Sequence, residues 1–115
     1  MSERSPITTH VLDTTIGRPA AGIRVVLERL DGATAQEIAS GRTDGDGRVS
    51  DFLPPGSLEP GTFRLTFDVA DYLAAQNRET FYPHVPIVFR VDAADEHYHV
   101  PLLLNPFGYT TYRGS

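Results

Sequence analysis

From Thr62 to Val69 the chain alternates large apolar residues (Phe63, Leu65, Phe67, Val69) with polar ones (Arg64, Thr66, Asp68). A period of two residues marks a strand with one buried face. The same alternation recurs at Ile23 to Leu30, where Ile23/Val25/Leu27 stand against Arg24/Val26/Glu28, and at Ile7 to Leu12, where Thr8/His10/Leu12 stand against Thr9/Val11. Shorter or weaker runs follow at Ala35–Thr43, Val49–Leu53, Ile87–Val91, His97–Leu104 and Phe107–Tyr112. Glycine and proline cluster between the runs, at Asp44-Gly45-Asp46-Gly47, Pro54-Pro55-Gly56, Pro60-Gly61 and Asn105-Pro106, where they supply turns and break elements. Only Asp71 to Glu79 reads as a helix, with Asp71 near its N-cap. About seven or eight short strands with a turn about every 8 to 12 residues predict an all-β fold, an antiparallel sandwich or small barrel, with one short helix. No repeat or linker interrupts the pattern, so residues 1–115 are expected to form a single domain.

The formal net charge of −5 argues against nucleic-acid and anionic-membrane partners, both of which need a basic surface. With no cysteine in the chain, disulfides, thiolate catalysis and Cys-ligated zinc are excluded. The first residues carry no apolar signal-type core, and no apolar stretch is long enough to span a membrane. A soluble, cytoplasmic protein is the expectation.

Chemistry-bearing residues are few. His97 and His99 sit two apart on an expected strand, so both imidazoles project from one face. Three readings stay open: an exposed polar pair, a His-x-His metal site awaiting a third ligand such as His10 or His84, and a general acid–base site working near neutral pH. Arg48 follows a Gly-rich turn, either solvated or aimed by that turn into a pocket, where its fork would hold a carbonyl, enolate or carboxylate. His10 stands mid-strand among Thr and Val. Asp44-x-Asp46 resembles the start of a calcium loop, but the rest of that pattern is missing. The end of the chain, Tyr109-Thr110-Thr111-Tyr112, is made of strand formers rather than of tail residues.

Read together, these segments resemble the transthyretin-like family. Ile7-Thr8-Thr9-His10-Val11-Leu12-Asp13 with Gly17-x-Pro19-Ala20 resembles the family's opening, and Thr43-Asp44-Gly45-Asp46-Gly47-Arg48 its arginine-bearing turn. Phe81-Tyr82-Pro83 and His97-Tyr98-His99-Val100-Pro101-Leu102-Leu103 resemble its later segments. Tyr112-Arg113-Gly114-Ser115 is similar to the terminal signature of the 5-hydroxyisourate hydrolase branch. The resemblance implies a sandwich of two four-stranded sheets with one short helix, assembled as a homotetramer (a dimer of dimers) with sites between subunits. It also implies hydrolysis of 5-hydroxyisourate to 2-oxo-4-hydroxy-4-carboxy-5-ureidoimidazoline in urate catabolism, with no metal or organic cofactor. His10, Arg48, His99 and Ser115 would be the catalytic residues, and Tyr112, Arg113 and Gly114 would bind substrate. The alternative within the same fold is a small-molecule binding protein without catalysis.

Overall fold

The two-residue alternations become the inner faces of two stacked sheets. In the computed structural model, which describes residues 4–115, the strands are β1 (Ile7–Asp13), β2 (Arg18–Pro19), β3 (Arg24–Asp31), β4 (Thr34–Arg42), β5 (Arg48–Val49), β6 (Gly61–Asp68), β7 (Val85–Val91), β8 (Tyr98–Asn105) and β9 (Gly108–Thr111). One sheet has the order β4-β3-β6-β7 and the other β2-β1-β8-β9, with β5 also paired to β1. The first sheet is antiparallel throughout and sets Val25 opposite Phe67 and Leu27 opposite Leu65. All four side chains are fully buried. Side chains of this kind each contribute about 1.5–3 kcal/mol on leaving water.

The second sheet departs from the antiparallel pattern at one pair. β1 and β8 run parallel, from Ile7 opposite Tyr98 to Asp13 opposite Leu104. No hairpin joins these strands, so no turn imposes an antiparallel direction. Their burial sets the register: Ile7, Thr9, Val11 and Asp13 face inward beside Tyr98, Val100, Leu102 and Leu104. A slip of one residue would turn both sets to the outside. The opposite, outer face of this sheet therefore carries Thr8, His10 and Leu12 from β1 and His99, Pro101 and Leu103 from β8.

The helix α1 spans Val69–Ala74, starting earlier and ending sooner than its composition suggests. Val69 and Leu73 are its buried residues. Termination comes from Asn77, at φ 56°, in the left-handed region that Asn tolerates. The Arg78 N–H then closes on the Leu73 carbonyl at 3.0 Å. This turn delivers Arg78 to Asp13, the inward-facing last residue of β1. Arg78 donates to both carboxylate oxygens of Asp13 (2.5 and 3.1 Å), Tyr72 Oη donates at 2.8 Å and the Thr15 N–H at 3.1 Å. Burial alone would raise the Asp13 pKa, but these hydrogen bonds and the Arg78 charge outweigh it and hold the carboxyl below its usual range. Among the described residues no helix is long and apolar enough to cross a membrane.

Candidate active site

Local geometry places the arginine first. In the turn before β5 the Asp44 carboxylate accepts the backbone N–H groups of Asp46 (2.9 Å) and Arg48 (3.0 Å), and these two bonds keep its pKa low. Gly47 has φ +76°, and a Cβ there would lie 2.4 Å from the Val11 carbonyl oxygen. Only glycine suits the position. The Gly47 carbonyl in turn accepts the Val11 N–H at 2.8 Å, which fastens the turn to β1. Arg48 thereby lies directly opposite His10 in the β5–β1 ladder. Cross-strand partners share a face, so Arg48 joins His10 on the outer side of the sheet. Backbone bonds of the turn, rather than contacts to its side chain, fix the place of Arg48, which is both exposed and on the rim of the cavity described below.

His99 arrives on the same face through the parallel pairing, opposite Thr8. Its ring is held at two edges. Nδ1 is 2.8 Å from Thr8 Oγ1. Cδ2 faces Gly114, where a Cβ would come within 2.6 Å of it. The nitrogen left over is Nε2, which among the described residues has no hydrogen-bond partner. Burial, the Arg48 charge, and the nearby His97, His10 and Arg4 all push the His99 pKa below its ordinary value, so the imidazole is neutral near pH 7. His97 Nε2 lies 3.0 Å from the same Thr8 hydroxyl, and the two histidine rings are stacked with centroids 6.4 Å apart and planes 23° from parallel. Burial and the charges of Arg4 and Arg113 lower the His97 pKa as well. Among the described residues no three His, Cys, Asp or Glu side chains gather as a metal site needs.

The last residues are ordered by pairing. Beyond β9 the Gly114 N–H donates to the His99 carbonyl at 2.8 Å, in the register β8 and β9 already share. The strand thus resumes past Tyr112 and Arg113 and brings Ser115 to a cavity of about 190 Å³ lined by Thr8, Arg48, Ser50, His97, His99 and Ser115, with Arg4 and Thr9 completing it. Of the four residues expected to be catalytic, Arg48, His99 and Ser115 line this cavity, and His10 stands beside it as the cross-strand partner of Arg48.

The three residues expected to bind substrate are placed differently. Gly114 backs the His99 ring. The Arg113 guanidinium bonds Glu96 at 3.0 Å and the His97 carbonyl at 3.3 Å, and lies over the Tyr98 ring, 4.5 Å from its centroid. It fastens the tail instead of pointing into the small cavity. Tyr112 lines a separate, larger cleft of about 540 Å³ between β7 and the tail, which Arg113 and His99 also border. Thr8 is the residue that sequence reasoning missed. A threonine in a strand is unremarkable, and its significance rests on a partner 91 residues away.

Comparison with known proteins adds an independent line. The model of the HIUase/Transthyretin family matches residues 7–114. A 5-hydroxyisourate hydrolase of Mus musculus is 46% identical over 116 residues, covering 99% of this chain and 98% of the mouse protein. The solved structure of Klebsiella pneumoniae 5-hydroxyisourate hydrolase superposes with a TM-score of 0.83 at 34% identity, over 95% of this chain and 98% of that one. Sea bream transthyretin in complex with thyroxine superposes with a TM-score of 0.90 at 28% identity, covering 96% of this chain and 95% of that one.

Proposed function

The chain belongs to the HIUase/Transthyretin family, and we propose that within it the chain is an enzyme that hydrolyses 5-hydroxyisourate to 2-oxo-4-hydroxy-4-carboxy-5-ureidoimidazoline. Fold likeness alone does not separate hydrolase from carrier, since sea bream transthyretin superposes as well as the Klebsiella hydrolase does. The observation that carries the reading is the polar equipment of the small cavity: His99, with an Nε2 that has no hydrogen-bond partner among the described residues, Arg48 with a guanidinium in the same condition, and Ser115. A carrier of apolar ligands has no use for that set.

Ring opening at an N–C(=O) bond needs an activated water, a stabilised oxyanion and a protonated leaving nitrogen. His99 Nε2, helped by His10, takes a proton from water as the oxygen attacks the carbonyl carbon. Arg48 receives the negative charge that develops on the carbonyl oxygen. The C–N bond then breaks, and the proton held by His99 passes to the departing nitrogen. Ser115 orients the substrate at the tail side of the cavity. Water supplies every atom added, and the scheme calls on no cofactor. Gly114 and Arg113 act on the substrate indirectly, through the positions they give His99 and Ser115.

Homotetrameric assembly with sites between subunits, a single domain over residues 1–115, cytoplasmic residence and a place in urate breakdown belong to the same proposal. Two features support assembly: the small cavity is lined by Thr8, Arg48 and His99 from the outer face of the β1–β8 sheet, and Ile16, Phe107, Tyr109 and Tyr112 are exposed apolar or aromatic side chains. Light scattering on a sizing column checks it, with a monomer mass as the overturning result. The activity test generates 5-hydroxyisourate in situ by urate oxidation and follows its ultraviolet absorbance. Decay faster than the spontaneous rate is expected, and decay at the spontaneous rate defeats the hydrolase reading.

A further inference from the structure

Thr8 is 8% exposed, and its single hydroxyl serves two imidazoles, Nδ1 of His99 and Nε2 of His97. A hydroxyl has one proton and two lone pairs, while a neutral imidazole has one N–H and one lone pair. Both rings could donate to the two lone pairs, but the Thr8 proton would then have no acceptor among the described residues, so one of the two rings must accept it and the tautomers are tied together. If the Thr8 proton goes to His97, His99 must donate from Nδ1, and its Nε2 faces the cavity as a lone pair. If the Thr8 proton goes to His99 Nδ1, His99 carries its own proton on Nε2 and presents an N–H instead. The two states differ at the atom that does the chemistry.

Arg48 discriminates between them. Its guanidinium lines the same cavity as His99, and a fixed positive charge favours a lone pair over an N–H facing it. We propose that Thr8 and His97 are positioning residues for the hydrolysis: His99 Nδ1–H donates to Thr8 Oγ1, Thr8 O–H donates to His97 Nε2, and His99 Nε2 is thereby held as the base. The proposal rests on the hydrolase reading above and adds what prepares its base. Both imidazoles are pushed toward the neutral form that the scheme requires. When Nε2 takes the proton from water, the imidazolium keeps its Nδ1–H on Thr8, so no hydrogen bond is exchanged during the step. Ser50 and Thr9 also line the cavity, but Thr9 Oγ1 donates inward to the Val100 carbonyl and is not available for this task.

Two measurements test it. Nitrogen-15 NMR of the wild-type protein at neutral pH should show both His99 and His97 protonated at Nδ1 and bare at Nε2. A proton on His99 Nε2 overturns the proposal, and a proton on His97 Nε2 removes the acceptor role given to His97. This reading needs no substrate, so it stands apart from the hydrolase assay: an inactive wild-type protein would overturn the function, while the tautomers are still read. In the second measurement Thr8→Val, which keeps shape and drops the hydroxyl, should lower kcat by about tenfold to a hundredfold with KM within about twofold, as losses of partners that orient a reactive group do. Thr8→Ser should recover most of kcat. Unchanged kcat in folded Thr8→Val, or no recovery in folded Thr8→Ser, overturns the role of the hydroxyl.

Discussion

Strand β1 carries two polar clusters on its two faces, and they are built on opposite plans. At Asp13, facing inward, the carboxylate takes two bonds from Arg78, one from Tyr72 and one from the Thr15 backbone. Around Thr8, facing outward, the hydroxyl and two imidazoles satisfy one another, yet His99 Nε2, the His10 ring and the Arg48 guanidinium have no hydrogen-bond partner among the described residues. Each cluster contains an arginine delivered by a turn. Arg78 pairs with a buried anion, whereas Arg48 is exposed beside the small cavity. The closed cluster holds structure, whereas the open one is where the proposed hydrolysis would find its substrate.

The largest effect expected from breaking this contrast is on the closed side. Arg78→Ala strands the Asp13 carboxylate in the interior, and removal of one partner of a buried pair costs about 3–5 kcal/mol. Urea unfolding should show the loss, while protein that remains folded keeps its turnover. On the open side the outcome reverses. Arg48→Gln or His99→Gln should lower kcat by about a hundredfold to a thousandfold, the range seen when an oxyanion donor or a general base is removed, with the unfolding midpoint unmoved. Gly114→Ala tests the join between tail and ring. A Cβ at 2.6 Å from His99 Cδ2 must displace one of them, and turnover should fall by roughly tenfold, whereas a structural glycine would show its loss in stability alone.

The smallest expected effects are in pH. The His99 pKa is depressed by burial first and by Arg48 second, so its protonation, read by NMR, should fall below the ordinary histidine value of about 6.5. Arg48→Gln should move it upward without restoring that value. For Asp13 the sign is opposite in consequence. Its depressed pKa contributes stability that is present above the unfolded value of about 3.9 and lost as pH falls through the folded one. Arg78→Ala should flatten that acid-side loss.

What could be read from the chain and what could not follows the range of the interactions. The inner faces were legible because period-two burial is local, and the short helix because its formers are contiguous. Arg48 was legible because Asp44, Gly47 and Arg48 are neighbours in sequence and one turn makes the site. His10 and His99 were legible as residue types on resembling segments, though nothing local states that β1 and β8 run parallel and set Thr8 beside His99. Asp13–Arg78 and Thr8–His99 were invisible for the same reason: each couples ordinary residues across 65 and 91 positions. Arg113 was expected at the substrate because the resembling terminal segment implies it there. Its partners are Glu96, in the turn before β8, and the ring of Tyr98, the first residue of β8.

The parallel pairing also governs the order in which the molecule comes together. β3 and β4 are separated by two residues, Gly32 and Ala33, and can pair as soon as they exist. β1 must wait for β8, and closing a loop of that length carries an entropy cost of roughly 4 kcal/mol before any contact repays it. The sheet that bears the histidines therefore condenses late, as non-local pairings do. Until Tyr98 to Asn105 have left the ribosome, the apolar inner face of β6 lacks the layer that covers it. The segment that completes the candidate site is thus also the lid on the nascent core, and slow synthesis just before it would expose the chain to aggregation.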